Sequence, residues 1–264
     1  MRTLILILVL ANLLIYSLIL EIVFEPKSFI AFLDVGQGSA VLLKDGKNIF
    51  LYDTGKENSK ILNEFRKNLP FYYKKLDLAL ISHPDFDHFG SLRVIKEKYK
   101  IRLLLTNPYS LEKDNFRKFI QDLKLSERLI FLKAGDRIKT NNFYLEILNP
   151  YKRNSNDNDN SLVIFVKYKN YSILLTGDIS KKIIKEIVEK NENKIKNIDI
   201  LLYPHHGSKY SLSEISYEII NPKIVVIQSG LNNYGHPHRE VLDFFQKRKK
   251  IIWNTFVSST LVVK

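Results

Sequence analysis

Cysteine is absent from the 264 residues. That excludes a disulfide framework, a thiolate zinc site and a cysteine nucleophile, so any metal has to sit on His, Asp or Glu. Low-complexity linkers and solenoid-type repeats are also missing, which leaves 27–264 as a single domain in the simplest partition. Acidic residues are in short supply: 28 Asp and Glu face 41 Lys and Arg, a formal charge of +13. Such an excess favours polyanionic partners, nucleic acid or an anionic membrane surface. A chain this rich in Lys, Asn and Ile can also owe its charge to genome composition. What the chain does hold is apolar mass. With 45% hydrophobic residues, including 16 Phe and 14 Tyr, it can bury enough surface to offset chain entropy, which excludes disorder as its main state.

Residues 4–20, LILILVLANLLIYSLIL, form a nearly unbroken apolar run whose polar interruptions are Asn12, Tyr16 and Ser17. Roughly 20 such residues span a bilayer. No Ala-x-Ala-like site follows, because EIVFEPKSF carries charges and bulky groups where a peptidase needs small ones. An uncleaved anchor over 1–26 therefore fits better than a signal peptide. Apolar character on every face argues against a buried core helix. Arg2 ahead of the run predicts an inside N-terminus and a globular part outside the cytoplasm.

Beyond Pro26 the pattern changes to short apolar runs separated by Gly, Asp and Asn. SFIAFLDV, SAVLLKDGKNIFLYD, LDLALIS, LVIFVKYKNYSILLT, NIDILLY, KIVVIQS and IIWN read as strands, with hairpin turns at Asp45-Gly46 and Lys169-Asn170. Helical spacing appears over 58–67, 90–98, 111–124, 181–191 and 239–249. The alternation predicts an α/β fold. Residues 151–160, YKRNSNDNDN, form a polar loop dense in turn formers.

The sharpest chemical signal is His83-Pro84-Asp85-Phe86-Asp87-His88, which follows the strand LDLALIS directly. A strand ending in a tight loop can turn imidazoles and carboxylates towards one point, and that donor set suits Zn, Mn or Fe. The plainer reading is a polar turn with Asp87 capping a helix. Two further strands stop abruptly in the same way: ILLTGD at Asp178 and ILLYPHHG at His205-His206. Asp178 could bridge two cations or merely cap a helix starting near Ser180. The remaining histidines, His236 and His238, lie in GLNNYGHPHRE and could ligate metal, bind phosphate, position a leaving group or cap the next helix. All six histidines of the chain thus fall in three loops.

Through FLDVGQGSAVLL, LYDTG, SHPDFDH, NDNSLV, LLTGD, PHHGS and Gly-His-Pro-His, the sequence resembles the metallo-β-lactamase superfamily. Within it, the resemblance is to the hydrolase domain of ComEC-type DNA-uptake proteins. It covers nearly everything after residue 28. The resemblance implies a four-layer αβ/βα sandwich preceded by the N-terminal hydrophobic helix. It implies that His83 and Asp85 hold a first metal, Asp87 and His88 a second, and that Asp178 bridges them. The Pro-x-His-Gly pattern selects His206 over His205 as the remaining ligand. His205, Ser208, His236 and His238 are then left to contact substrate or support the ligands. Two departures stand out. Asp85 occupies a position usually held by histidine, which favours oxygen-loving ions such as Mn2+. The histidine usually found ahead of TGD is missing, so that Asp157, Asp159 or an Asn amide is left as a weak substitute and one of the two sites is expected to bind weakly.

The expected activity is metal-dependent hydrolysis with two divalent ions, Zn2+ or Mn2+. The favoured reaction is cleavage of phosphodiesters in DNA, with Asp87 also orienting the nucleophile or accepting its proton. The +13 charge suits a DNA substrate. Two rivals are hydrolysis of a small phosphodiester or phosphocholine-type ester at the cell surface, and a non-catalytic module that binds DNA or the envelope. Only one apolar span is available, so DNA uptake would need a separate channel protein as partner.

Overall fold

The computed structural model describes residues 2–24, 27–58 and 60–264. The first helix, α1 (Arg2–Phe24), stands apart from the rest, and its span Arg2–Leu20 buries nothing in the protein. Asn12 and Ser17 on it turn back to the carbonyls of Leu8 and Leu14, each at 2.8 Å. Polar side chains satisfied within their own helix can sit in an apolar medium.

The remaining chain builds two seven-stranded sheets. The elements in chain order are β1 (Ser28–Phe32), β2 (Val41–Asp45), β3 (Asn48–Tyr52), α2 (Lys60–Asn68), β4 (Lys75–Ile81), α3 (Phe86–Phe89), α4 (Leu92–Lys98), β5 (Lys100–Thr106), α5 (Asp114–Asp122) and β6 (Leu129–Phe131). Then come β7 (Arg137–Lys139), β8 (Phe143–Asn149), β9 (Val163–Tyr168), β10 (Tyr171–Leu175), α6 (Lys181–Ile195), β11 (Ile200–Leu202), α7 (Glu214–Ile220), β12 (Ile224–Ile227), α8 (Arg239–Lys247), β13 (Ile251–Asn254), α9 (Thr255–Ser258) and β14 (Leu261–Val263). One sheet runs β14-β1-β2-β3-β4-β5-β6 and the other β13-β12-β11-β10-β9-β8-β7. Each is antiparallel on one side and parallel from β3 to β6 or from β10 to β13.

Side-chain alternation along the strands produces the layers. On β1, Ile30 and Phe32 enter the seam between the sheets, while Phe29 and Ala31 face α2, α4 and α5. On the second sheet, Leu174 and Leu201 meet α6, α7 and α8, and Ile173 and Ile200 face the other sheet. Sheets covered on both faces need apolar residues at both parities, which is why their strands read as continuous hydrophobic runs. The result is the helix, sheet, sheet, helix order implied by the resemblance.

Local differences from the sequence reading have physical causes. The helical stretch at 90–98 is α4, starting at Leu92, and a separate short helix, α3, that the spacing did not predict precedes it at Phe86–Phe89. Gly90 between them keeps helical dihedrals, and a β-carbon there would meet Phe86 O at 2.6 Å. Strands β5 to β8, β14 and the short helix α7 have no counterpart among the predicted elements. β5 begins two residues after α4 ends, so its apolar run merges with the helix in the sequence. β6 and β7 are three-residue edge strands with mostly exposed side chains, defined by pairing to a neighbour rather than by any pattern of their own.

Candidate metal centre

Parallel strands that end at one edge deliver the site. β4 runs into Ser82-His83, β3 into Asp53, β10 into Asp178, β11 into the turn at 205–207, and β12 into Gln228. His83, His88 and Asp178 place one ligand atom each within 4.8 Å of one another, as do Asp87, His88 and His206. Asp178 stands between them: its Oδ1 is 3.2 Å from His88 Nε2, and its Oδ2 is 3.5 Å from His206 Nε2 and 3.9 Å from His83 Nε2. Asp85 Oδ2 lies 3.6 Å from His83 Nε2, and Asp87 Oδ2 lies 3.2 Å from His206 Nε2. The six residues expected to hold metal therefore converge.

Hydrogen bonds behind the imidazoles fix their orientation. His206 Nδ1 faces the Gln228 carbonyl at 2.9 Å, and a carbonyl only accepts, so Nδ1 donates. His88 Nδ1 donates to Asp53 Oδ2 at 2.8 Å. Ser82 Oγ gives its proton to the same carboxylate oxygen at 2.8 Å and accepts from His83 Nδ1 at 3.0 Å. In the neutral ring each Nε2 is then a lone pair aimed into the centre. The Nε2 atoms of His83, His88 and His206 and Oδ1 of Asp178 are buried and have no hydrogen-bond partner among the described residues. Acceptors gathered in a buried space repel one another unless a cation lies between them, and unpaired buried acceptors are costly. The donor set, imidazole nitrogen with carboxylate oxygen, fits a divalent ion such as Zn2+, Mn2+ or Fe2+.

Electrostatics agree. Burial disfavours the charged form of His88, but the carboxylates of Asp178 and Asp53 outweigh it and raise the imidazole well above its ordinary value. His206 is raised in the same sense, with burial opposed by Asp178 and Asp87. Burial opposes ionisation of Asp178, yet His88 and His206 hold it well below the carboxylate range, and Asp87 follows the same balance. The pocket thus draws positive charge, as protons when nothing else is bound.

Strained backbone collects at this edge. Asp53, His205 and His206 have φ of 56°, 52° and 54°, a left-handed conformation that costs non-glycine residues on the order of 1 kcal/mol or more each. The Asp53 carboxylate repays its strain by accepting from Ser82 N, Ser82 Oγ and His88 Nδ1. Gly207 continues the turn at φ 93°, and its missing β-carbon lets Pro237 approach where one would stand 2.5 Å away.

A cavity of about 190 Å3 opens on the centre, lined by Gln37, Asp85, Asp87, Asp178, His205, His206, Tyr234 and His236. His205 and His236, whose rings lie 5.5 Å apart, therefore reach the space beside the ligands. Burial, and the neighbouring imidazoles His205, His206 and His238, push His236 down to about 4, so it is neutral at pH 7. His205 is lowered by burial first. Ser208 and His238 are not brought to the cavity. The Ser208 hydroxyl accepts from Tyr210 N at 3.3 Å in its own turn, and His238 Nδ1 accepts from Lys209 N at 3.4 Å.

The polar loop does not supply a ligand. Asp157 pairs with Lys113 at 2.9 Å, Asp159 Oδ1 accepts from Ser180 N at 2.9 Å, and the Asn160 amide bonds the carbonyls of Asn154 and Asn156. Asp159, and not Asp178, therefore serves the start of α6, which removes the helix-cap reading of Asp178. Sequence reasoning assigned no role to Asp53, Ser82 or Gln228. Asp53 carried a usable signal, because LYDTG ends a strand at an acid just as ILLTGD does.

A sequence model of the metallo-beta-lactamase superfamily matches residues 33–230. "Recombination protein 2" of Haemophilus influenzae is 33% identical over 237 residues, 88% of this chain and 28% of the relative. "ComE operon protein 3" of Bacillus subtilis is 27% identical over 251 residues, 87% of this chain and 32% of the relative. The chain thus spans about a third of the length of these relatives. Among solved structures, the metallo-beta-lactamase fold protein YhfI of Bacillus subtilis aligns with a TM-score of 0.59 at 11% identity, covering 89% of this chain and 100% of that one. CmlA, a diiron beta-hydroxylase of Streptomyces venezuelae, aligns at 0.60 and 12% identity, covering 90% and 54%.

Proposed function

Since this chain belongs to the metallo-beta-lactamase superfamily, we propose that it is a metal-dependent phosphodiesterase acting on DNA, tethered to a membrane by α1. The observation that carries the reading is the set of buried acceptors without partners, three Nε2 atoms and Asp178 Oδ1, closing on one space. His83, Asp85 and Asp178 would hold one divalent cation, and Asp87, His88, His206 and Asp178 a second, with the Asp85 side weaker for want of the usual histidine. Such cations supply Lewis acidity when bound, acidifying a water at neutral pH and neutralising charge that develops on a phosphoryl group.

The chain's own residues do the rest. Asp87, kept ionised by His206 and His88, accepts the proton of the water that attacks phosphorus. The bond from phosphorus to the leaving oxygen breaks, and that oxygen takes its proton from solvent while the neutral rings of His205 and His236 offer it N–H hydrogen bonds. Lys113, 3.6 Å from Asp85 and held by Asp157, offers a cation to a neighbouring phosphate.

DNA is favoured over a small ester by the groove beside the cavity. It measures about 870 Å3 and is lined by Gln37, Lys56, Phe86, Asp87, Asn232 and Tyr234, among others. Tyr234 and Phe86 expose 73% and 44% of their surface there, so their rings can stack on bases while Lys56 meets the backbone. The fold alone is shared with a diiron beta-hydroxylase and does not choose the chemistry; a relative named for recombination points the same way as the groove. The test is cleavage of linear single- and double-stranded DNA by the full chain with Mn2+ or Zn2+, against a chromogenic small phosphodiester. Cleavage of DNA is the expected result. Binding of DNA without cleavage by the metal-loaded protein favours a non-catalytic module, and cleavage of the small ester alone overturns DNA as substrate.

A further inference from the structure

We propose that the end of the sandwich opposite the metal centre is a docking face for an anionic lipid bilayer, which holds the catalytic edge away from the membrane. This rests on reading α1 as a membrane anchor.

Strand register lines up one end of the molecule. Ser28 pairs with Asp45, Asp45 with Asn48, and Lys75 with Lys100. The second sheet meets the first at the same level, where Tyr168 Oη donates to Ser28 O at 2.8 Å and Asn142 N donates to Asp45 Oδ2 at 3.0 Å. Lysines mark nearly every strand start and turn at this end: Lys47 between β2 and β3, Lys74 before β4, Lys100 opening β5, Lys169 between β9 and β10, Lys223 before β12 and Lys249 before β13. All six are exposed. The carboxylates of this end are already engaged. Asp45 accepts from Asn142, Asp77 from Ile49 N, Lys75 and Arg102, and Asp199 from Ser172 and from Lys223, which it neutralises. Among the described residues Lys47, Lys74, Lys100 and Lys249 form no ion pair. Beside Lys74, Phe71 is 67% exposed, an apolar ring among lysines as expected at a headgroup boundary.

Connectivity chooses the occupant. α1 ends at Phe24 and β1 begins at Ser28, four residue steps that reach at most about 14 Å. β1 starts at the lysine end, so a bilayer holding α1 lies against this face at high effective concentration. β4 climbs from Lys75 to Ile81 before His83, so the centre sits about 20 Å farther out. A nucleic acid bound by these lysines would lie that distance from the centre, on the side the tether turns to the lipid. Each lysine near an anionic surface shifts such docking by about five-fold.

The test uses the full chain inserted in vesicles of phosphatidylcholine, with or without about 30 mol % phosphatidylglycerol. The chain lacks cysteine, so Asn170→Cys in the β9–β10 turn and Ser155→Cys at the opposite end each carry a single dye, read by energy transfer to labelled headgroups. Transfer from position 170 is expected to exceed that from 155, to rise with phosphatidylglycerol, and to drop in about 0.5 M salt, where screening is short. Reversing Lys47, Lys74, Lys100 and Lys249 together to Glu should cut docking at least about a hundred-fold, with thermal unfolding and metal uptake confirming an intact fold. Transfer that ignores lipid charge or the four reversals, in a chain that still floats with the vesicles, overturns the docking face alone. A chain that floats with neither vesicle overturns the anchor reading beneath it.

Discussion

His88 Nδ1 donates to Asp53 Oδ2 across 2.8 Å, with both side chains fully buried. This pair aims His88 Nε2 at Asp178 and raises the basicity of the ring, as carboxylates behind metal-binding histidines do. Asp53→Asn keeps the left-handed backbone, which Asn tolerates, and removes the charge. Metal affinity is expected to fall roughly 10- to 100-fold, read by competition with a chromogenic chelator; unchanged affinity would mean that Asp53 only braces the turn.

Asp87 depends on a glycine. A β-carbon on Gly38, at φ 120°, would stand 2.3 Å from the Asp87 carbonyl oxygen. Gly38→Ala must move that loop, so it is expected to cost about 2–4 kcal/mol of stability and weaken metal binding at Asp87 more than at His83. Denaturant unfolding and metal titration measure the two effects, and a neutral substitution would show that the loop yields without cost.

His236 reaches the cavity without belonging to either ligand group. His236→Ala should therefore lower kcat for DNA cleavage roughly 10- to 100-fold while leaving metal stoichiometry unchanged. Loss of metal instead would make His236 a ligand.

The pH dependence of the metal-free protein follows from the imidazoles. His88 and His206 are raised in the fold, so their contribution to stability is complete below about pH 6.5 and is lost as pH climbs through the folded values. Asp178 is lowered, so its contribution is present above about pH 4 and is lost on acidification. Thermal unfolding of the metal-free chain should peak between these limits and decline towards alkaline pH. Divalent ions compete with the protons, so the rise in Tm on adding Mn2+ should grow from pH 6 to 8. A metal-free Tm that climbs over that interval contradicts the charge arrangement.

Much of this site was legible because chemistry-bearing residues stand where apolar strands stop. His83 to His88, Asp178 and His206 share that signature, and periodicity gave the helices on both outer faces. The supports were not legible in the same way. Ser82 and Gln228 look like ordinary residues at strand ends, and their roles depend on which carbonyl or hydroxyl meets a particular ring nitrogen. The polar loop misled because Asp157 and Asp159 are good ligands by type, but Lys113 and the backbone of α6 claim them first. The +13 charge was plain, whereas the row of exposed lysines at the end far from the centre follows only from register.

The most direct measurement of the central claim is the metal content of the full chain, wild type beside Asp178→Ala, by elemental analysis after titration with Mn2+ or Zn2+. The wild type should retain one ion firmly and take up a second at higher concentration, while the variant, still folded by circular dichroism, should retain neither. Equal metal content in the two proteins would mean that the acceptors around Asp178 do not form a shared metal centre.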